Sequence, residues 1–145
     1  LKKKNMSVLV KEYEDVKIIR DTYDTTYSLI DIKTENEICC YDNIRCFEGD
    51  LAAIYDSEKG YNFINKKGEL LCDTYFEDAS NFYEGCAEVC KVFYENDVYV
   101  NWINTKGEII LKDWLCVDKR DIEAKKIGDY LYIYSGKKYI KIVKV

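Results

Sequence analysis

The side chains that most often carry chemistry are missing or scattered in this sequence. Histidine is absent, which removes the commonest general base and metal ligand, and with it Ser-His-Asp and Cys-His catalysis. Seven cysteines stand at Cys39, Cys40, Cys46, Cys72, Cys86, Cys90 and Cys116. An odd number cannot pair fully, and no C-x-x-C spacing occurs for zinc or redox work. Cys86 and Cys90 share one face of a strand-like segment, separated by Glu88. The cysteines are therefore read as buried or half-buried thiols packing as small hydrophobes, ahead of one disulfide or a metal site. No metal site and no cofactor are assigned. The 27 acidic residues show no pair at a spacing that stands out from ordinary solvated turns. A glycosidase-type pair would have to be assembled by the fold in a concave pocket. The reading is a non-enzyme with no catalytic residue.

Aromatic contact chemistry remains. The chain has 14 Tyr, 5 Phe and 2 Trp. Tyr130, Tyr132 and Tyr134 alternate with Leu131 and Ile133, so the three tyrosines share one strand face. They are the candidate binding residues. Packing of that face against a neighbouring strand or subunit is the plainer alternative.

The elements that position such residues are read from an internal repeat. Tyr61-Asn62-Phe63-Ile64-Asn65-Lys66-Lys67-Gly68-Glu69-Leu70-Leu71 recurs as Val100-Asn101-Trp102-Ile103-Asn104-Thr105-Lys106-Gly107-Glu108-Ile109-Ile110. Each copy is an aromatic-Ile strand end, a polar tetrad from Asn to Gly, and a resumed apolar run. Asn first and Gly last suit a type I turn followed by a left-handed residue. A β-hairpin with a loop of three to four residues is expected. A degenerate copy starts at Ile30-Asp31, where Asn36 stands in for the left-handed Gly and the loop is two residues longer. Positions 30, 64 and 103 then lie 34 and 39 residues apart. The constant positions (Ile64, Asn65, Gly68, Leu70) are those that a turn and core require. The variable ones, Phe63/Trp102 and Lys66/Thr105, are where specificity would reside.

A second signal precedes each full copy. Phe47-Glu48-Gly49-Asp50-Leu51-Ala52-Ala53-Ile54 aligns without gaps on Phe82-Tyr83-Glu84-Gly85-Cys86-Ala87-Glu88-Val89, 35 residues on. Each reads as a turn entering a strand, with the Phe as a core anchor. Further strands are expected at Ser7–Val10, Asp15–Ile19, Tyr27–Asp31 and Tyr75–Ala79, with a longer loop around Phe93 to Asp97. A Ser135-Gly136 hairpin is expected to close the chain, its last strand charged by Lys138, Lys141 and Lys144 against edge pairing. A short helical turn is the one exception considered, near Lys119 to Lys125. No segment sustains apolar spacing at i, i+3, i+4 and i+7, so the fold class is all-β. The architecture expected is a set of tandem antiparallel β-meander or hairpin repeats forming a twisted repeat array. It forms a single domain over residues 1–145, with units 15–46, 47–81, 82–121 and a partial 122–145.

Composition narrows the partners. A hydrophobic share of 48% supports a globular core. The net charge of −5, with both signs mixed along the chain, argues against a nucleic-acid face and an anionic membrane surface. No apolar run approaches the ~18–20 residues that span a bilayer, so no membrane insertion is expected. Unpaired cysteines favour a cytoplasmic setting. Leu1 is not Met, which leaves the native start unread.

With these anchors in place, the sequence resembles the WG-repeat family, also called KWG repeats. The resemblance rests on Phe47 to Ile54, Phe63 to Leu71, Tyr75 to Ala79, Phe82 to Val89 and Trp102 to Ile110. The Trp-Gly pair that names the family is replaced by Tyr61-Asn62 and Val100-Asn101, and the Pro usual after the hairpin is missing. Cell-wall-binding repeats use similar hairpins but in shorter units. The resemblance implies tandem β-meanders and an interaction role with no catalytic residues. The expected function is a non-catalytic module that binds a protein partner; the alternative is a carbohydrate- or cell-surface-binding module with a glycan ligand.

Overall fold

A computed structural model describes residues 6–93, 97–117, 122–135 and 138–144. The chain divides into two compact units, residues 1–75 and 76–145. The division falls within the stretch 47–81 that the sequence spacing marks as one repeat.

In the first unit, β1 (Ser7–Glu12), β2 (Val16–Asp21), β3 (Tyr27–Asp31) and β4 (Glu37–Tyr41) form one antiparallel meander. A second meander joins β5 (Asn43–Ile44), β6 (Ala52–Asp56) and β7 (Gly60–Ile64). Both sheets contribute to one core: Val16, Ile18 and Leu29 from the first, Ile44, Ala52, Ile54 and Ile64 from the second, with Phe47 between strands. The outer strand β1 is exposed throughout.

In the second unit, β8 (Asp78–Ala79), β9 (Cys86–Phe93), β10 (Asp97–Asn104) and β11 (Leu115–Cys116) form a sheet in the order β11-β10-β9-β8. Strand β10 is the best protected: Val100, Asn101, Trp102 and Ile103 are all buried, so both of its faces are covered. The final meander is β12 (Ile122–Ile127), β13 (Tyr130–Ser135) and β14 (Lys138–Lys144), with β13 in the middle. Leu131 and Ile133 of β13 join Val100, Trp102 and Leu111 in the core of this unit. The described chain is thus all-β, built from consecutive antiparallel meanders.

The anchors Phe47 and Phe82 are both buried. Their turns, however, place Gly differently. Residues 48 and 51 bracket the first turn and residues 83 and 86 the second. In the first only Gly49 has positive φ, as type II′ requires; in the second both Glu84 and Gly85 do, as type I′ requires.

Several sequence expectations change. The left-handed residue of the degenerate copy is Glu35 (φ 58°), not Asn36. Asp31 N–H reaches Asn36 O and Glu35 N–H reaches Asp31 O, so this loop is one residue longer than the others rather than two. Of the helical turn expected near residues 119–125, residues 119–121 lie outside the described residues and residues 122–125 are strand, because β12 pairs with β13 in unbroken register from Ile122↔Ser135 to Ile127↔Tyr130. Leu70 is 44% exposed and does not serve the core. Phe63 and Trp102 are 0% and 3% exposed; both are buried and are not surface positions where specificity could reside. The turn at residues 136–137 and the loop at residues 94–96 lie outside the described residues.

Candidate functional site

The two full hairpins are superposable in their bonding. Asn65 Oδ1 accepts from Lys67 N at 2.9 Å and Glu69 N at 3.0 Å, while its Nδ2 donates to Glu69 Oε1 at 2.9 Å. Asn104 Oδ1 accepts from Lys106 N and Glu108 N, both at 3.0 Å, and its Nδ2 donates to Glu108 Oε1 at 3.1 Å. Gly68 (φ 78°) and Gly107 (φ 81°) complete the loops. The Asn and Glu of the motif are therefore a turn lock, and their side chains are occupied by it.

A second asparagine does more. Asn62 and Asn101, at equivalent places in the two copies, are both 0% exposed. Asn101 Nδ2 donates to Leu111 O at 2.9 Å and its Oδ1 accepts from Leu111 N at 3.0 Å. One side-chain amide thus satisfies both backbone groups of a residue ten positions on. Asn62 Nδ2 donates to Cys72 O at 2.9 Å, again ten residues on. These residues tie the segment after each hairpin to the strand before it. Sequence reasoning noted them only as departures from the family; their recurrence at the same place in both copies was the available signal.

The candidate binding tyrosines lie on β13, the central strand of the last meander. Leu131 and Ile133 point into the core at 2% and 0% exposure, whereas Tyr130 is 44% exposed and Tyr132 and Tyr134 are half-buried. Directly opposite residues of an antiparallel pair share a face. Glu123, Lys125 and Ile127 of β12 oppose Tyr134, Tyr132 and Tyr130, and Lys144 of β14 opposes Tyr130 from the other side. Sheet geometry therefore gathers three phenol rings and both signs of charge on one outer face.

A further aromatic group was not anticipated. Trp114, half-buried, has ring centroids 6.3 Å from Phe76 and 6.0 Å from Phe93, and Phe93 meets Tyr99 edge-on at 5.2 Å. Lys91 Nζ sits 5.7 Å from the Trp114 ring centroid and 5.8 Å from that of Phe76, in cation–π range. These residues are far apart in sequence, and only strand pairing brings them together.

Two cavities carry charge. In the first unit, a cavity of about 350 Å³ is lined by Asp21, Asp24, Glu35 and Glu37 among others. Each carboxylate has a local partner: Tyr23 N for Asp21 at 2.7 Å, Thr26 Oγ1 for Asp24 at 2.7 Å, Lys17 for Glu35 at 3.2 Å and Ser28 Oγ for Glu37 at 2.7 Å. Those bonds give each acid a part in holding turns and strands. In the second unit, a cavity of about 500 Å³ is lined by Lys106, Lys126 and Lys144 with Glu108, Ile109 and Ile110. Among the described residues, no group of three or more Cys, Asp or Glu is placed to hold a metal ion.

No cysteine among the described residues forms a disulfide. Desolvation by burial pushes the Cys39 and Cys90 thiols up to about 11, aided by nearby negative groups. Cys86 is also raised by burial, partly offset by Lys126. Since the thiolate is the nucleophile, exposed Cys40 and Cys46 are expected to alkylate first with iodoacetamide near pH 8. Cys39 and Cys90 should lag a free cysteine by roughly a hundredfold. Mass mapping of labelled peptides over time checks this order; early labelling of Cys90 would contradict it.

Comparison with known proteins adds the following. The computationally designed Ika4 protein is similar at 10% identity and a TM-score of 0.46, covering 98% of this chain and 94% of its own. The WD40 domain from Toxoplasma gondii coronin is similar at 9% identity and a TM-score of 0.41, covering 94% of this chain; this chain spans only 46% of it. No curated protein sequence matches. The sequence pattern of the WG-containing repeat family matches residues 63–91, taking in the first Asn-Gly hairpin, the Phe82 anchor and most of β9. Residues 63–91 are thus similar to one WG-containing repeat.

Proposed function

We propose that this chain is a non-catalytic WG-repeat-type module that binds a protein partner through the outer face of the last meander. The observation that carries the reading is the division of β13, which commits Leu131 and Ile133 to the core and leaves the Tyr130, Tyr132 and Tyr134 face outward. Tyrosine offers large contact area with a polar tip, and it is enriched in interface cores. The flanking Glu123, Lys125 and Lys144 supply a polar rim. The absence of histidine supports the non-catalytic part.

Panning a random peptide library on the folded protein and on Tyr130→Ala/Tyr132→Ala/Tyr134→Ala tests this. The wild type should enrich a peptide family that the triple variant binds at least ~30-fold more weakly, as loss of an aromatic hot spot worth about 2 kcal/mol implies. Failure to enrich any peptide, or equal binding by a folded triple variant, would overturn the reading.

A second reading, a glycan-binding module, draws on the Trp114, Phe93 and Tyr99 cluster, since aromatic faces suit sugar rings. A glycan array separates the two: binding lost on Trp114→Ala favours it, and no glycan bound by folded protein sinks it.

A further inference from the structure

The two hairpins have the same bonding but spend the variable turn position differently. In the first, Lys66 lies over the Tyr13 and Phe47 rings, its Nζ 5.3 Å and 5.8 Å from their centroids. Its charge is used within the unit. In the second, the equivalent residue is Thr105, which is exposed and lines the cavity of about 500 Å³ instead of closing over aromatic rings.

That cavity concentrates positive charge on a chain whose net charge is −5. Lys106, Lys126 and Lys144 line it against one acid, Glu108. The Glu108 carboxylate already accepts from Asn104 Nδ2 at 3.1 Å, so it is held within its own turn. Among the described residues, none of the three lysines forms an ion pair. Gly85 (φ +86°) forms part of the wall, and a Cβ there would lie 3.5 Å from Lys126 Nζ. A residue without a side chain therefore leaves space beside the ammonium group. Lys144 is also the direct cross-strand neighbour of Tyr130, so one lysine of the cavity borders the tyrosine face.

We propose that the cavity receives a carboxylate side chain from an acidic segment of the protein partner. This rests on the protein-binding reading and names the chemistry of the partner. Charge complementarity selects an anion, since unpaired lysines at a recess attract one and speed its encounter. One feature favours a carboxylate in a peptide over a phosphate: Ile109 and Ile110 line the cavity beside the lysines and suit the aliphatic stem of Glu. The adjoining tyrosine face would hold the residues that flank the acid.

Fluorescence anisotropy of a labelled poly-glutamate peptide with the intact chain at low salt tests the proposal. The peptide should bind saturably. Lys106→Glu/Lys126→Glu should weaken it about tenfold or more, Lys126→Gln should weaken it by less, and Lys67→Glu, on the exposed first hairpin, should leave it unchanged. Thermal unfolding of each variant confirms folding, and the mild Lys126→Gln keeps the test valid if the double variant does not fold. Three results would overturn the proposal: no binding to the wild type, equal weakening by Lys67→Glu, or displacement by equimolar inorganic phosphate with the same lysine dependence. The last would make it a phosphate site. The peptide library decides separately whether any protein segment binds. Enriched peptides that are not acidic and ignore Lys106 and Lys126 would end this proposal and leave the interaction reading standing.

Discussion

Asn101→Leu is expected to lower the unfolding free energy by about 2–6 kcal/mol, a large share of the 5–15 kcal/mol typical of a folded domain. The substitution keeps side-chain size but removes the amide that bonds both Leu111 N and Leu111 O. Leu111 is 3% exposed, so water does not readily replace the lost partner, and each orphaned backbone group costs about 1–3 kcal/mol. Asn62→Leu removes the corresponding bond to Cys72 O, and a cost of at least about 1–3 kcal/mol is expected. Asn104→Ala loses its bonds on an exposed turn, where water can substitute, and about 1 kcal/mol is expected. Denaturant titration at constant slope should place Asn101 and Asn62 above Asn104. An Asn101→Leu cost no larger than that of Asn104→Ala would show that the buried amide does not hold the repeat together.

Gly68→Ala is the second large effect, at about 2–5 kcal/mol. Two causes add. At φ 78° any side chain costs about 1–2 kcal/mol. The new Cβ would also sit 2.7 Å from Ile38 Cγ2, and overpacking of that kind costs about 1–3 kcal/mol. Ile38 packs on the core of the first unit and cannot retreat without disturbing it. Gly49 provides the control, since it has a φ of 64° with nothing within 4 Å of the added Cβ; Gly49→Ala should cost only the backbone strain. Ile38→Ala in the Gly68→Ala background should recover the steric part, seen as non-additivity in a double-mutant cycle. Equal costs for Gly68→Ala and Gly49→Ala, with additive behaviour toward Ile38, would contradict the close approach.

The hairpins were legible because their physics is local. Asn65 and Gly68 satisfy a turn whose geometry their own side chains dictate, and Ile64 and Ile103 occupy core positions in both copies at 0% exposure. The alternation of Tyr130, Tyr132 and Tyr134 with Leu131 and Ile133 was legible for the same reason. What the sequence concealed depended on tertiary neighbours. Phe63 and Trp102 differ between copies, which resembles specificity, yet both are buried. The run from Ile122 to Ile127 carries charges at helix-like spacing, and only pairing with β13 makes it a strand. The Gly128-Asp129 turn that joins the two was the overlooked signal. Glu35 takes positive φ although Asn36 adjoins it, and the Lys17 ammonium lies 3.2 Å from its carboxylate. The lysine cavity and the Trp114 cluster draw on residues distant in sequence, so no motif could announce them.

Buried Asn62 and Asn101 tie the segment after each hairpin to the strand before it, which is the central claim. Native-state hydrogen exchange at the Leu111 amide, followed by NMR, addresses that claim most directly. The amide donates to Asn101 Oδ1 at 3.0 Å inside the core. It should exchange as slowly as the amides of β10 and lose that protection in Asn101→Leu. Fast exchange at Leu111 in the wild type, at the rate of an exposed loop, would contradict the account.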